Sequence, residues 1–144
     1  MRSQYVHVID LAPTLLNAAG GAFRAAVNGS RQIPVAGRSI VPTLLSAQAK
    51  APRSVQFFEL WGNRAITSGR WRAVSLHKPG TDFSGDRWQL FDIEADATES
   101  KDLSTVNPAK LSELRKLWEQ EAGKYGAVLR EAPPLRQSTF ADQF

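Results

Sequence analysis

Cysteine is absent from the 144-residue sequence. Its absence excludes disulfides, thiolate nucleophiles and cysteine-ligated metal sites, and it leaves the redox compartment open. Long apolar runs are lacking as well, because none reaches the roughly 18 residues that a membrane span requires. The apolar N-terminal stretch contains His7, Asp10 and Pro13, which disfavour a signal peptide. We therefore expect neither a membrane segment nor a signal peptide in this chain, and its localisation stays unknown.

Blocks of like charge are also missing, although the net charge is +4. Residues 1–92 contain 11 Lys and Arg against 5 Asp and Glu, whereas residues 93–144 contain 7 against 9. Trp71 and Trp88 follow arginines, as aromatic residues do in proteins that bind single-stranded nucleic acid. Tryptophan in a strand is more typical of a packed core. The sequence therefore predicts no nucleic-acid partner, and binding through the basic N-terminal half is kept as an alternative.

The stretch HVIDLAPTLLNAAGG, residues 7–21, predicts a short strand that runs into an apolar helix. Val6 to Ile9 form a β-like run, Asp10 can cap a helix over residues 10–19, and Gly20 ends it. Such a piece belongs to the interior of a domain, and its other half is not evident in this sequence. Residues 22–53 predict a long loop with one short helix over residues 41–47.

The second half of the sequence predicts an α+β fold, with a four-stranded antiparallel sheet and a C-terminal helix. Short runs rich in β-branched and aromatic residues, SVQFFEL, RAITSG, RWRAVSL and RWQLFDI, are separated by turn signals. Apolar residues alternate imperfectly, which indicates a sheet covered on both faces near its centre. Asn107 and Pro108 open a helix that covers one face. Its predicted apolar stripe consists of Leu111, Leu114, Leu117, Trp118 and Tyr125.

Candidate chemistry is sparse, and we predict no catalytic, cofactor-binding or metal-binding residue in this chain. His7 is interpreted as a core or edge histidine, and His77 with its neighbour Lys78 as part of a solvated loop with a binding rim as the alternative. The acidic segment over residues 92–102 lacks the spacing of a calcium loop. Glu59 and Trp61 are explained by a hairpin turn. Phosphate-binding glycine motifs and a serine elbow are missing.

Four pieces of the sequence in this order, HVIDLAPTLLNAAGG, GRSIVPTLL, FFELWGNRAITSGRWRAVSL and the stretch from RWQLFDI to WEQEA, resemble the C-terminal part of type I sulfatases, the arylsulfatases, from about Val6 to Tyr125. The more specific match is NRAITSGRWRAV followed by WQLFDIEADATESKDL and a long helix. The resemblance implies four parts: residues 1–21 as a remnant of the end of the catalytic domain, 22–53 as a connecting loop with a short helix, 54–126 as the C-terminal sulfatase subdomain, and 127–144 as a tail.

The resemblance also implies a parent enzyme that hydrolyses sulfate esters to alcohol and sulfate, with a formylglycine and a calcium ion in its large α/β domain. This chain has no cysteine, no serine followed by x-Pro and no adjacent Asp-Asp or Asp-Asn pair. No family catalytic residue can therefore be assigned to a position here, and the chain itself is expected to need no cofactor.

Besides nucleic-acid binding, two functions remain open at this point. In the first, the chain is an inactive structural portion of an arylsulfatase, whose partner is the missing N-terminal domain or another subunit. The parent would then be cytoplasmic or periplasmic. In the second, it is a non-catalytic interaction or assembly module derived from a sulfatase.

Overall fold

The computed structural model describes residues 4–131. The chain divides between Ser54 and Val55 into two compact units. Of the predicted tail over residues 127–144, the part that follows Glu131 lies outside the described residues. In the described part of the chain, no helix has both the length and the apolar character needed to cross a membrane.

The first unit contains two short helices and a small hairpin. A 3₁₀ turn, Val8–Asp10, leads into α1, Leu11–Ala18, and α2 spans Val41–Leu45. In the chain segment between these two helices, strand β1, Ala26–Val27, pairs antiparallel with strand β2, Ser30–Arg31. The predicted helices over residues 10–19 and 41–47 therefore form, with ends that differ from the predicted bounds by one or two residues.

Two predictions for this unit are wrong. Val6 to Ile9 do not form a strand, because the side chain of Asp10 accepts the N–H of His7 at 2.9 Å while His7 Nδ1 accepts the N–H of Ile9. This reciprocal capping bends the backbone into the 3₁₀ turn. The loop over residues 22–53 also contains a hairpin that was not predicted. Its turn is Asn28-Gly29, both with positive φ, as a two-residue hairpin turn requires.

The buried side chains of the first unit are polar. Within residues 4–54, only Asp10, Thr14 and Thr43 are buried. Asp10 accepts the N–H of Arg38 at 2.8 Å and pairs with the guanidinium of Arg53. Burial would raise the pKa of Asp10, but the N–H groups of Arg38 and His7, together with Arg53, lower it below its usual value. Hydrogen bonds therefore hold the buried positions of this unit, while apolar side chains such as Leu16 and Val41 are only half-buried.

The second unit is the predicted four-stranded antiparallel meander with a helix. Its sheet order follows the chain, and the predicted strands are confirmed as β3, Val55–Leu60, β4, Asn63–Ser68, β5, Trp71–Ser75, and β6, Trp88–Asp92. Helix α3, Pro108–Tyr125, begins after Asn107 and ends at Gly126, whose φ of 63° suits a glycine.

Helix α3 packs on one face of this sheet. Buried Ile66, Leu90, Leu114 and Trp118 form the centre of that core. The indole N–H of Trp118 donates to the carbonyl of Phe58 at 3.0 Å, which satisfies its polar atom inside the core. The predicted stripe is therefore confirmed for buried Leu114 and Trp118 and for Leu111 and Leu117, which pack partly buried against the same core. Ala122 is an unpredicted buried member, whereas Tyr125 is exposed.

The opposite sheet face is buried at its centre, where Ala65, Thr67 and Phe91 lie. Leu60 and Leu76, at the ends of their strands, are exposed. The prediction that both faces are covered near the centre is therefore confirmed, although the sequence itself shows no element that would cover the second face. Leu60 and Leu76 leave apolar side chains exposed at the margin of that face.

The acidic connector after β6 is organised by hydrogen bonds. Asp96 accepts the N–H of Lys101 at 2.8 Å, and Asp102 accepts the N–H groups of Leu90 at 3.1 Å and Ser104 at 2.8 Å. Burial opposes ionisation of Asp102, but these donors and the nearby Arg87 lower its pKa to about 2. The carboxylates of this segment therefore fasten the connector to the sheet.

Candidate functional site

His77 lies in the loop that joins β5 to β6, and its imidazole is buried. The prediction of a solvated loop residue is therefore wrong for His77, although the adjacent Lys78 is exposed as predicted. The ring stacks on Phe83 with a centroid distance of 4.0 Å. Its backbone N–H donates to Asn63 Oδ1 at 3.0 Å. The start of β4 and the β5–β6 loop thus fix this histidine from both sides.

A buried carboxylate and a buried guanidinium complete the group. His77 Nδ1 lies 3.0 Å from Asp86 Oδ2, and Arg64 Nη2 donates to the same oxygen at 2.6 Å. Arg64 also donates to the hydroxyl of Ser75 and to the carbonyl of Phe83. We refer to Arg64, Ser75, His77, Phe83 and Asp86 as the His77 cluster. Because a carboxylate only accepts hydrogen bonds, His77 Nδ1 is the donor in this contact.

The local sequence explains why these side chains meet. Trp61 and Gly62 form the β3–β4 turn with φ of 51° and 82°. A Cβ at Gly62 would lie 2.4 Å from Phe83 Cε1 and 2.9 Å from His77 Cγ. Only glycine therefore allows the turn to approach the loop this closely. Cross-strand register then places Arg64 opposite Ser75.

The other imidazole nitrogen of His77 has no hydrogen-bond partner within residues 4–131. Glu131 Oε1 lies 3.9 Å from this Nε2 atom and accepts the N–H of Gly80 at 3.0 Å. An open cleft of about 440 Å³ lies on the outer side of the loop. Its walls are Leu76, Lys78, Thr81, Asp82, Ser84, Gly85, Asp86 and Arg87.

The chemistry of this arrangement is that of a positioning group. A His–Asp pair can serve a nucleophile as a base, but no hydroxyl lies within hydrogen-bond distance of Nε2 in the described part of the chain. The same residues contain no group of three or more His, Asp or Glu side chains that could hold a metal ion. The His77 cluster therefore fixes the β5–β6 loop and shapes the cleft beside it.

The remaining sequence candidates have structural surroundings. His7 is half-buried and caps the 3₁₀ turn, so the interpretation as a core or strand-edge histidine is wrong. Glu59 accepts the N–H of Gly62 at 3.0 Å, and Trp61 is half exposed in the same turn. The hairpin explanation of Glu59 and Trp61 is therefore confirmed.

Sequence reasoning missed Arg64 and Asp86, the two charged members of the cluster. One sequence feature could have indicated Arg64: it is a charged residue at the start of the otherwise apolar run RAI. A charge at an inward-facing strand position needs a buried partner of opposite sign. Finding that partner requires the fold, because Asp86 lies 22 residues away in a loop.

The comparisons with known proteins found similarity to a sulfatase. The chain is 34% identical over 71 residues to an uncharacterized sulfatase of Schizosaccharomyces pombe, a match that covers 49% of the chain and 12% of that protein. No protein-family model matches the chain.

Solved structures match more of the chain. The structure of Ps i-CgsB is 25% identical, with a TM-score of 0.59 over 83% of this chain and 25% of that one. The structure of BT4656 in complex with its substrate D-glucosamine-2-N,6-O-disulfate is 21% identical, with a TM-score of 0.56 over 81% and 24% of the two chains. This second likeness shows the fold alone.

The fold and these comparisons together define an α+β unit that is similar to part of a sulfatase. Over 71 residues the chain is similar to an uncharacterized sulfatase, and its fold matches part of the solved chains. It spans about an eighth of the curated relative that it matches and about a quarter of the solved chains.

Proposed function

We propose that this chain serves as the C-terminal structural part of a sulfate-ester hydrolase and does not hydrolyse sulfate esters by itself. The group that would do the chemistry in the parent does not fit the residues present here. The sequence has no cysteine and no serine followed by x-Pro to become a formylglycine. No group of three or more His, Asp or Glu side chains that could hold a metal ion occurs within residues 4–131. Both would belong to the larger domain of the parent.

The observation that carries the proposal is the polar interior of the first unit. Val8, Leu11 and Leu15 are 70%, 56% and 71% exposed, while the buried positions beside them are Asp10 and Thr14. A unit that buries no apolar side chain gains little from the hydrophobic effect, which is the main favourable contribution to folding. The apolar side of α1 therefore suits a surface that another protein body covers, as the end of a larger α/β domain would.

The second unit supports the same proposal through its loop. The His77 cluster holds residues 77–86 in place, and Lys78, Asp82 and Arg87 present charged groups at the adjacent cleft. In the parent enzyme this loop would form a rim of the substrate cleft. The charged groups would position a polar substrate there without taking part in bond cleavage.

The test is hydrolysis of 4-nitrophenyl sulfate by the purified chain. We expect no release of nitrophenol above the uncatalysed rate. Turnover that co-purifies with the chain and disappears from an identically prepared deletion of residues 55–131 would overturn the proposal. A second measurement is the DNA sequence upstream of the codon for Met1. An open frame, continuous or frameshifted, that encodes a C/S-x-P-S/A-R motif supports the proposal.

The alternative is a non-catalytic assembly module that retains a sulfatase fold. The margin of the second unit favours it, since Leu60 and Leu76 are exposed large apolar side chains beside a complete core. Light scattering across a concentration series discriminates the two. A stable homo-oligomer, together with upstream DNA that contains no sulfatase sequence, would favour the module.

A further inference from the structure

The segment that follows α3 leads from the core of the second unit to the β5–β6 loop. Ala127 and Leu129 are partly buried and pack against that core, whereas Val128 between them is exposed. At the end of the segment, the carboxylate of Glu131 accepts the N–H of Gly80 at 3.0 Å. We refer to residues 127–131 as the α3 strap. The hydrogen bond from Gly80 therefore anchors the far end of the strap on the loop.

A buried imidazole nitrogen lies beside this anchor. The His77 side chain is 1% exposed, and the side chain of Glu131 is 48% exposed. Because His77 Nδ1 donates to Asp86, Nε2 of the neutral ring carries no proton and can only accept a hydrogen bond. Glu131 Oε1, which lies 3.9 Å from Nε2, is an acceptor as well. The two atoms therefore face each other without a hydrogen bond, and Nε2 has no other partner within residues 4–131.

A neutral His77 leaves negative charge uncompensated at this corner of the unit. Arg64 and Asp86 form a buried ion pair, so their charges cancel. Glu131 then remains without a counter-charge beside Nε2, and Glu59, opposite Arg64 on β3, is a further carboxylate. The remaining charged side chains of the loop and the strap are exposed: Lys78, Asp82, Arg87 and Arg130. A proton on Nε2 would supply a positive charge here and would turn an acceptor into a donor.

We propose that His77 is a pH-dependent latch for the α3 strap. When the imidazole is protonated, its Nε2–H donates to the carboxylate of Glu131, so that a second donor from the loop joins Gly80. A separation of 3.9 Å becomes a hydrogen bond after a shift of about 1 Å, which the half-exposed Glu131 side chain can supply. When Nε2 loses its proton, this second tie is released. The inference goes beyond the proposed function, because the latch requires neither catalysis nor the parent domain.

The experiment is nuclear magnetic resonance of the isotope-labelled 144-residue chain between about pH 8 and pH 5, where imidazoles ordinarily titrate. Glutamates ordinarily titrate at about pH 4.3, below that range. The nitrogen chemical shift of His77 Nε2 reports its proton, and the order parameters of the backbone amides of residues 128–131 report the motion of the strap. We expect Nε2 to gain its proton as the pH falls. The order parameters should rise with the same midpoint, toward the value of about 0.85 that is typical of rigid backbone.

Glu131→Gln separates the latch from a general effect of pH. The amide keeps an oxygen that can accept the N–H of Gly80, but it removes the charge that Nε2 faces. Because a charge-assisted hydrogen bond is roughly twice as strong as a neutral one, the rise in the order parameters should be about half as large or smaller in this variant. Glu119→Gln is the matched control, since Glu119 is an exposed glutamate on α3, and it should behave like the unaltered chain.

Three results would overturn the proposal. The first is that Nε2 gains no proton down to about pH 5. The second is that Nε2 gains its proton while the order parameters of the strap stay unchanged. The third is an equal rise in Glu131→Gln and in the unaltered chain. None of these results depends on the hydrolysis assay, so the two proposals fail separately.

Discussion

Replacement of Asp86 by asparagine tests whether the His77 cluster stabilises the second unit. The side chains of Asp86 and Arg64 are 4% and 9% exposed and are joined at 2.6 Å. The asparagine keeps the size of the side chain but removes the charge that Arg64 and His77 contact. A buried guanidinium would then lack its counter-charge in a poorly hydrated environment.

The expected loss in the free energy of unfolding is about 3 kcal/mol, the lower end of what breaking a buried ion pair costs. Small domains unfold with about 5–15 kcal/mol, so the effect is large. With an m-value of about 1–2 kcal/mol per molar urea, the midpoint of urea unfolding should fall by about 2 M. Circular dichroism at neutral pH measures it. Glu113→Gln is the control, because its pair with Lys110 is exposed and should change stability by less than about 0.5 kcal/mol.

A second substitution, at Arg64, separates the effect of charge pairing from that of lost packing. Arg64→Met removes the other charge, and the double variant Arg64→Met/Asp86→Asn leaves neither charge unpaired. The double variant should be more stable than the sum of the single losses predicts, by at least about 1 kcal/mol. If Asp86→Asn costs less than about 1 kcal/mol, or if the two losses simply add, the cluster does not act as a buried ion pair.

Two further changes probe the same unit. Gly62→Ala should lower the free energy of unfolding by more than about 2 kcal/mol, because its Cβ would collide with Phe83 and His77. Gly69→Ala is the control: its φ is also positive but nothing lies near its Cβ, so it should cost about 1–2 kcal/mol. Equal urea midpoints for the two variants would contradict the close approach of Gly62 to the β5–β6 loop. Asp102 has a pKa lowered to about 2, so its ionised form stabilises the folded state above its ordinary pKa, and about 2 kcal/mol should be lost as pH falls from about 4 to 2. Asp102→Asn should remove that part of the pH dependence of the urea midpoint, and an unaltered acid dependence would refute the assignment.

The sheet and helix of the second unit were predictable because their signals are local. Turn residues separate the strand runs, and Asn107-Pro108 marks the start of α3 in the sequence itself. The environment of His77 was not predictable in this way. Its burial depends on Arg64 and Asp86, which reach it only after the strands have paired. A residue next to a lysine, a proline and a glycine looks solvated until its long-range partners are known.

The errors in the first unit have a different physical origin. Val6 to Ile9 have strand propensity, but the hydrogen bonds of Asp10 and His7 outweigh it. The prediction that Asp10 caps the helix over residues 10–19 is also wrong. That side chain does not cap α1. It accepts N–H groups from the turn before the helix and from Arg38 in the loop.

The same helix shows what an amphipathic pattern does and does not establish. The spacing of Leu11 and Leu15 predicts one apolar side on α1, and both residues are indeed on an apolar helix. The pattern was interpreted as a piece of an interior, yet these leucines are exposed and the buried residue of α1 is Thr14. A periodic apolar side on a helix indicates a surface suited to packing against another protein surface, but it does not indicate whether that surface belongs to the same chain. The chain spans about a quarter of a solved chain that it resembles. The exposed leucines of α1 therefore favour the proposed structural role over an independent module. The second unit differs, because its apolar side chains bury one another in a core of its own.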